Sequence, residues 1–296
     1  MNLDRISYIL LICGLFVSGC TTRSELPSQQ QALSSTTATI ENKGSDTLVN
    51  LALAWAERYT GEHSEVHISV TGGGSGTGIA AMINGTVDIA NASRAMKPEE
   101  ITRAEANGIS PVEIVVARDA IAIVAHPSNA VDQLTLAQIS DIYTGKLVNW
   151  QQVGGADRPI VPLSRESNSG TYVYMLENVI RLGEKESELL FSPDTLLMAS
   201  SEGISTEVRQ NPNAFGYDGL GYVSPDQKVI AVARDESGPF VLPSVDTVND
   251  GSYPISRPLF MYTAGEPQGA IKAYLDWVLS EGQAAVLELG FVPIHE

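Results

Sequence analysis

The stretch VHISVTGGGSGTGIAAMI, residues 66–83, passes from an alternating pattern into a glycine-rich loop and then into a helical pattern. Val66, Ile68 and Val70 alternate with other residues, as in a strand that buries one face. Residues 79–83 form a short apolar run that ends at an Asn-Gly pair, which indicates a short helix. The stretch therefore predicts a strand–loop–helix unit, the building block of an α/β fold.

Two further loops of the same character follow strand-like runs, at residues 43–47 (KGSDT) and 165–171 (RESNSGT). Small residues let the backbone approach a ligand closely, and hydroxyl groups donate hydrogen bonds. The free N–H groups at a helix start carry positive partial charge. Because Arg94 and Arg165 lie near these loops in sequence, the three loops together predict a site that holds one oxyanion from several sides.

Strand-like and helix-like segments alternate along the rest of the chain. Residues 112–116 and 120–125 form two separate apolar strand-like runs, and residues 172–182 form a helix after the third loop. This alternation predicts an α/β architecture with a largely parallel sheet. Ligands of such sheets collect at the carboxyl ends of strands, and all three loops follow predicted strands.

The N-terminal segment predicts export. Residues 8–17 are apolar but too short to span a bilayer as a helix, and small residues lead from them into Cys20. This pattern resembles the bacterial lipoprotein box, in which residues 1–19 are a signal peptide and Cys20 becomes lipidated. A plain cleaved signal is the alternative. Residues 20–39 are rich in Ser, Thr, Gln and Ala and predict a lipidated tether.

The chain is acidic, with 18 Lys and Arg against 35 Asp and Glu and a net charge of −17. Such a surface argues against a nucleic-acid partner and against electrostatic docking on anionic lipid. It also repels anions at long range. We therefore expect an anion site here to depend on helix dipoles and a few arginines.

Several motifs follow one another in a fixed order: KGSDT (43–47), GGGSGTG (72–78), DIANASR (88–94), the stretch 134–150 with YTG at 143–145, SGT (169–171), and FGY with GLGY (215–222). Their order and spacing resemble the phosphate-binding proteins of bacterial phosphate ABC transporters (PstS type). The resemblance runs from about residue 40 to the C-terminus.

The resemblance implies a type II periplasmic-binding-protein fold, with two α/β domains joined by two crossover strands and the ligand in the cleft. Residues 40–117 and 258–296 would form domain 1, and residues 118–257 domain 2. It also implies an extracytoplasmic, monomeric protein that captures inorganic phosphate and delivers it to ABC permease subunits in the membrane. No catalytic activity, cofactor or metal is expected.

The resemblance places phosphate-binding residues in all three loops and after the third strand. Ser75 and the cluster from Arg165 to Thr171 match the family without change, and we expect Arg165 to bind phosphate in a bidentate manner. The full set is Ser45, Asp46, Thr47, Ser75, Thr77, Arg94, Arg165, Ser169, Gly170 and Thr171.

Two positions depart from the family pattern. Asp46 stands where well-known members have threonine, and Arg94 stands where they have aspartate after serine. Phosphate near neutral pH still carries a proton, and a carboxylate can accept a hydrogen bond from it while it repels fully ionised sulfate. We therefore expect Asp46 to be the acceptor and Arg94 a second cation. An Asp46–Arg94 salt bridge at the rim is the alternative.

Other functions fit parts of this pattern. A binding protein for another tetrahedral oxyanion, sulfate or a molybdate-like ion, is the nearest alternative. A phosphate-ester hydrolase with Ser75 as nucleophile is more distant, because the Gly-x-Ser-x-Gly elbow is missing. Gly76-x-Gly78-x-x-Ala81 fits a minimal dinucleotide fingerprint, but Asp88 comes too early to bind a ribose. None of the histidines pairs with another at metal-ligand spacing.

Overall fold

The computed structural model describes residues 37–294, and the predicted signal peptide, Cys20 and most of the tether lie outside this range. Its strands form one mixed sheet. They are β1 (Ala38–Gly44), β2 (Val66–Thr71), β3 (Ile89–Ala92), β4 (Val112–Ala125), β5 (Gln133–Thr135), β6 (Val161–Arg165), β7 (Leu196–Met198), β8 (Ala214–Gly219), β9 (Lys228–Ala233) and β10 (Ser256–Thr263).

The helices cover both faces of this sheet. They are α1 (Asp46–Glu62), α2 (Ser75–Ile83), α3 (Pro98–Ala106), α4 (Leu136–Tyr143), α5 (Gly170–Tyr174), α6 (Ser201–Gln210), α7 (Val245–Asn249), α8 (Gly269–Val278) and α9 (Gln283–Glu288). A π-helical turn, Met175–Ile180, continues α5. In the described part of the chain, no helix combines the length and the apolar character needed to cross a membrane.

The strand order is β2-β1-β3-β10-β4-β8-β6-β7, and β9 pairs with both β4 and β5. Strands β1, β2 and β3 are parallel to one another, and so are β6, β7 and β8. The central strands β4 and β10 run antiparallel to their neighbours. The expectation of a largely parallel sheet therefore holds on each side of the sheet and fails at its centre.

Strand β4 links the two sides. Its residues 112–120 pair with β10, and its residues 121–125 pair with β8 and β9. The sequence predicted two strands here, because Arg118 and Asp119 interrupt the apolar pattern. The structure has one continuous strand, since Asp119 is buried and pairs with Arg257 of β10. The strand therefore continues through Arg118 and Asp119, and the buried ion pair lies inside the sheet.

Two large hydrophobic clusters lie on opposite sides of this link. One contains α1, α8 and α9 with β1, β2 and β10. It includes the fully buried Trp55, which donates from Nε1 to the carbonyl of Gly282 at 2.7 Å. The other contains α4, β8 and β9 and the π-helical turn. The predicted domain boundaries, 40–117 with 258–296 and 118–257, remain a prediction that this separation of clusters favours.

The third loop leads into a helix that starts earlier than predicted. The sequence predicted a helix over residues 172–182, whereas α5 begins at Gly170 and its π-helical continuation ends at Ile180. The earlier start places Gly170 and Thr171 in the first helical turn. Both residues therefore lie where backbone N–H groups have no acceptor within the helix.

Candidate functional site

The starts of helices α1, α2 and α5 meet at one place, which we call the cup and define as residues 45–47, 74–77 and 169–171. Thr47 Oγ1 lies 3.0 Å from Thr171 Oγ1, which joins α1 to α5. The Gly76 N–H donates to the carbonyl of Asn168 at 3.0 Å, which joins α2 to the third loop. The cup therefore brings together three segments that are far apart in sequence.

Two glycines let these segments approach each other. A Cβ atom on Gly170 would lie 2.5 Å from the hydroxyl oxygens of both Ser75 and Ser93. Gly74 has a φ of +91°, and a Cβ atom there would lie 2.9 Å from the carbonyl oxygen of Asn168. Side chains at either position would push the segments apart. Gly74 and Gly170 are thus required because the second and third loops approach each other closely across the cup.

The helix starts differ in how their first N–H groups are satisfied. The Ser169 hydroxyl accepts from the N–H groups of Thr171 and Tyr172 and so caps α5. The N-cap residues of α1 and α2, Ser45 and Gly74, make no side-chain cap. The first turns of α1 and α2 therefore lack a side-chain acceptor, although the Gly76 N–H of α2 already donates to the carbonyl of Asn168. The helix dipoles add positive potential there.

Asp46, in the first turn of α1, is an acceptor in the cup wall. Its Oδ2 accepts from Arg165 Nη2 at 2.6 Å, and its Oδ1 accepts from the N–H of Gly73 at 2.9 Å. A carboxylate has about four acceptor positions. Two of them therefore remain for other donors. The Asp46–Arg94 salt bridge considered from the sequence is wrong, because the partner of Asp46 is Arg165.

Arg165 is almost fully buried beside Asp46. It donates from Nε to the carbonyl of Met198 at 3.3 Å, from Nη1 to Ser201 Oγ at 3.0 Å, and from Nη2 to Asp46 and the carbonyl of Ala199. Four of its five N–H groups are thus engaged, which leaves one at Nη1. The expected bidentate contact with an anion is not available in this arrangement, since it would require one of these bonds to break.

Arg94 has a different partner from the one expected. Its Nη1 and Nη2 donate to the two carboxylate oxygens of Glu100, each at 2.7 Å, and both side chains are largely buried. Glu100 neutralises the guanidinium locally. Burial alone would raise the pKa of Glu100, but hydrogen bonds from Arg94 and from the Lys97 N–H outweigh burial, so the pKa lies below its ordinary value. This corrects the expectation that Arg94 supplies a free second cation.

The structure shows a second buried arginine at the cup that sequence reasoning missed. Arg257 on β10 donates from Nη2 to Thr171 Oγ1 at 2.9 Å and to Asp119 Oδ2 at 3.0 Å. Asp119 is fully buried, and burial raises its pKa while Arg257 opposes that rise. Sequence reasoning gave residue 257 only as the end of the predicted domain 2. The one local signal was an Arg within an otherwise apolar run.

Near Arg165 lies a second fully buried carboxylate, Asp218 of β8. It accepts from Ser205 Oγ and from the Gly219 N–H, each at 2.9 Å. Burial raises the pKa of Asp218 to about 7, although these hydrogen bonds and the charge of Arg165 lower it. Asp218 therefore titrates near neutral pH without lying in the cup itself.

Nine of the ten predicted site residues lie in or directly beside the cup, and Arg94 is neutralised at its edge. The hydroxyl of Thr77 accepts from Asn168 Nδ2 at 3.4 Å, so it belongs to the contact between loops. Within residues 37–294, no group of three His, Cys, Asp or Glu side chains is placed to hold a metal ion.

Comparison with known proteins agrees with this arrangement. Residues 29–282 match the PBP superfamily domain. A phosphate-binding protein PstS from Pseudomonas aeruginosa is 32% identical, over 91% of this chain and 87% of that protein. The chain belongs to the PstS family of phosphate-binding proteins. A second PstS relative, from Staphylococcus saprophyticus, is 29% identical over 86% of this chain.

Solved structures similar to this PstS-family chain agree with the fold. A substrate-binding protein from Clostridium perfringens, solved with bound phosphate, is 33% identical with a TM-score of 0.75, over 86% of this chain and 99% of that one. An ABC-type phosphate transport receptor from Vibrio cholerae is 28% identical with a TM-score of 0.68. They confirm the predicted periplasmic-binding-protein fold with two α/β domains.

Proposed function

We propose that this protein captures inorganic phosphate outside the cytoplasm and delivers it to an ABC-type permease. The observation that carries the proposal is the cup, where the starts of α1, α2 and α5 meet and two of them lack a side-chain cap. The PstS relatives and the phosphate-bound structural neighbour support the choice of phosphate over other anions.

The charges around the cup indicate how an acidic protein can hold an anion. Arg165 is balanced by Asp46, and Arg257 is balanced by Asp119. These pairs leave little net charge, so the ligand is held chiefly by hydrogen-bond donors and helix dipoles. Ser45, Thr47, Ser75, Ser169, Gly170 and Thr171 would supply hydroxyl or N–H donors, and a buried anion that loses one donor loses about 1–3 kcal/mol.

Asp46 would select phosphate over sulfate. Phosphate near neutral pH still carries a proton to donate, whereas sulfate does not. The carboxylate of Asp46 has acceptor positions left beyond its bonds to Arg165 and Gly73. Sulfate in the same place would meet a carboxylate with no proton between them, and this repulsion lowers its affinity.

Binding would be coupled to domain closure. We propose that domain 1 comprises residues 40–117 and 258–296 and that domain 2 comprises residues 118–257. The cup then takes α1 and α2 from domain 1 and α5 from domain 2, so only a closed arrangement completes it. Strand β4, which pairs with strands on both sides of the sheet, and the adjacent start of β10 would act as the hinge.

We further propose that the protein is a monomer anchored to the membrane by lipidated Cys20, with residues 20–39 as tether. We propose no catalytic activity. The hydroxyl of Ser75, the nucleophile of the hydrolase alternative, lies 3.3 Å from Ser93 Oγ and accepts from the Ser93 N–H at 3.0 Å. These partners hold the hydroxyl but cannot take its proton as a base would.

Calorimetric titration of the purified protein with phosphate, arsenate, sulfate and molybdate tests the proposal. We expect one phosphate per chain, comparable binding of arsenate, and much weaker binding of sulfate and molybdate. Tighter binding of sulfate or molybdate would assign the cup to that oxyanion instead. Absence of binding to any of the four would contradict an anion receptor.

A further inference from the structure

Arg257 lies near the start of β10, one of the two proposed hinge strands, and contacts residues of both proposed domains. It lies directly opposite Asp119 in the pairing of β10 with β4. Its Nη2 donates to Asp119 Oδ2 at 3.0 Å, to Thr171 Oγ1 at 2.9 Å and, more weakly, to Thr47 Oγ1 at 3.4 Å. One nitrogen therefore bonds residues from α1, α5 and β4.

The Arg257 guanidinium has little freedom to leave this position. The side chain is buried against the ring of Tyr174, with Cζ 5.6 Å from the ring centroid. Asp119 is fully buried and bonds the Leu220 N–H through its other oxygen. A buried carboxylate that lost its cation would be strongly destabilised. Asp119 therefore holds Arg257 against the two threonines.

This contact sets the direction in which the threonine hydroxyls donate. A hydroxyl group has one proton to donate and two acceptor positions. Nη2 of Arg257 has two N–H groups, and one of them goes to Asp119. The other is shared by the two threonine oxygens, so neither hydroxyl proton can point towards it. One hydroxyl donates to the other across the 3.0 Å Thr47–Thr171 contact. The remaining proton is left for an acceptor in the cup, and the oxygens of an anion are acceptors.

We infer that Arg257 is a positioning residue of the anion site, which orients the hydroxyl pair of Thr47 and Thr171 so that one of the two donates to the ligand. The inference rests on the proposed function of the cup. It assigns to Arg257 an indirect role in binding, through two hydroxyl groups that belong to different domains. Arg257 thus also favours the closed arrangement, because only there do both threonines reach one nitrogen.

A double-mutant cycle tests this inference by phosphate titration. Arg257→Met in the wild-type background should weaken phosphate binding by roughly tenfold or more. In the Thr171→Val background the same substitution should cost much less, since the hydroxyl that Arg257 orients is absent. Arg118→Met is the matched control, because Arg118 is the neighbour of Asp119 and bonds Asn249 and the carbonyl of Pro293. It should leave phosphate affinity unchanged.

Arg257→Met leaves Asp119 without its cation, so the double variant Arg257→Met/Asp119→Asn is measured as well. Thermal unfolding without phosphate shows whether each variant folds. Folded variants that bind phosphate as tightly as wild type would overturn the inference. An equal loss in both Thr171 backgrounds would also overturn it, since a general structural defect does not depend on that hydroxyl. Wild-type protein that binds no phosphate would overturn the proposed function and this inference together.

Discussion

Asp46 Oδ2 lies 2.6 Å from Arg165 Nη2, in an ion pair between residues 119 positions apart in sequence. The pair joins the first turn of α1 to the end of β6. Both side chains are largely shielded from solvent, so each charge is neutralised mainly by the other. An anion in the cup would therefore meet a neutral pair in which the carboxylate can still accept a hydrogen bond and the arginine can still donate one.

Replacement of Arg165 should abolish anion binding. Arg165→Ala removes four hydrogen bonds and leaves Asp46 facing the cup without its cation. We expect phosphate and sulfate titrations to show no binding. Removal of one partner from a buried pair also costs about 3–5 kcal/mol of stability, which denaturant unfolding measures. Arg209→Ala, at a solvent-accessible pair with Glu202 on α6, is the control and should bind phosphate normally.

Gly170 tests whether closure completes the site. Gly170→Ala places a Cβ atom 2.5 Å from the Ser75 and Ser93 hydroxyls, so we expect each domain to fold but the cleft to stay open. Small-angle scattering should show contraction on phosphate addition for wild type and none for the variant. Gly61→Ala is the control, because nothing lies within 4 Å of that position. A variant that closes and binds like wild type would refute the role of this contact.

Asp218 should make stability depend on pH. Its pKa in the folded protein is about 7, against about 4 in an unfolded chain. The folded protein therefore binds more protons between these values, so stability falls as pH rises through this window and levels off above about pH 7. Asp218→Asn removes this titration. The melting temperature of the variant minus that of wild type should therefore increase from pH 4.5 to pH 8. Glu236→Gln, at an exposed carboxylate, should show no such trend.

The anchor is tested by fractionation of cells. Cys20→Ala removes the thiol that lipidation requires, so we expect the protein to leave the membrane fraction or to remain unprocessed. Ser18→Ala changes a neighbouring position without removing the thiol and should stay membrane-bound. A Cys20→Ala variant that stays in the membrane fraction like wild type would contradict a lipid anchor at Cys20.

The loops and helix starts were predictable because their signals are local. Glycine and hydroxyl residues between an alternating run and a helical run indicate a strand end and a helix start, and α1, α2 and β2 appear as expected. Burial of Leu48, Leu51, Trp55 and Tyr59 follows from their helical spacing. The order of the motifs then indicated the family and, through the family, the fold.

The pairing of charges was not predictable, because it is tertiary. Arg257 and Thr47 are 210 positions apart, and nothing local in either segment indicates their contact. The continuity of β4 is also a tertiary effect. Asp119 interrupts the apolar pattern of the strand, but its buried ion pair with Arg257 allows the strand to continue. Arg94 with Glu100 is different, since the two are 6 positions apart. A helix that begins at Pro98 with acidic residues in its first turn was a local signal for that pair.

The central claim is that Asp46 selects phosphate through the proton of the ligand. The most direct measurement is the ratio of the sulfate to the phosphate dissociation constant for wild type and Asp46→Asn near pH 7.5. Asp141→Asn, at an exposed pair with Lys146, is the control. We expect Asp46→Asn to weaken phosphate by roughly tenfold or more and to strengthen sulfate relative to it, so the ratio falls. A ratio that stays at the wild-type value would contradict the account.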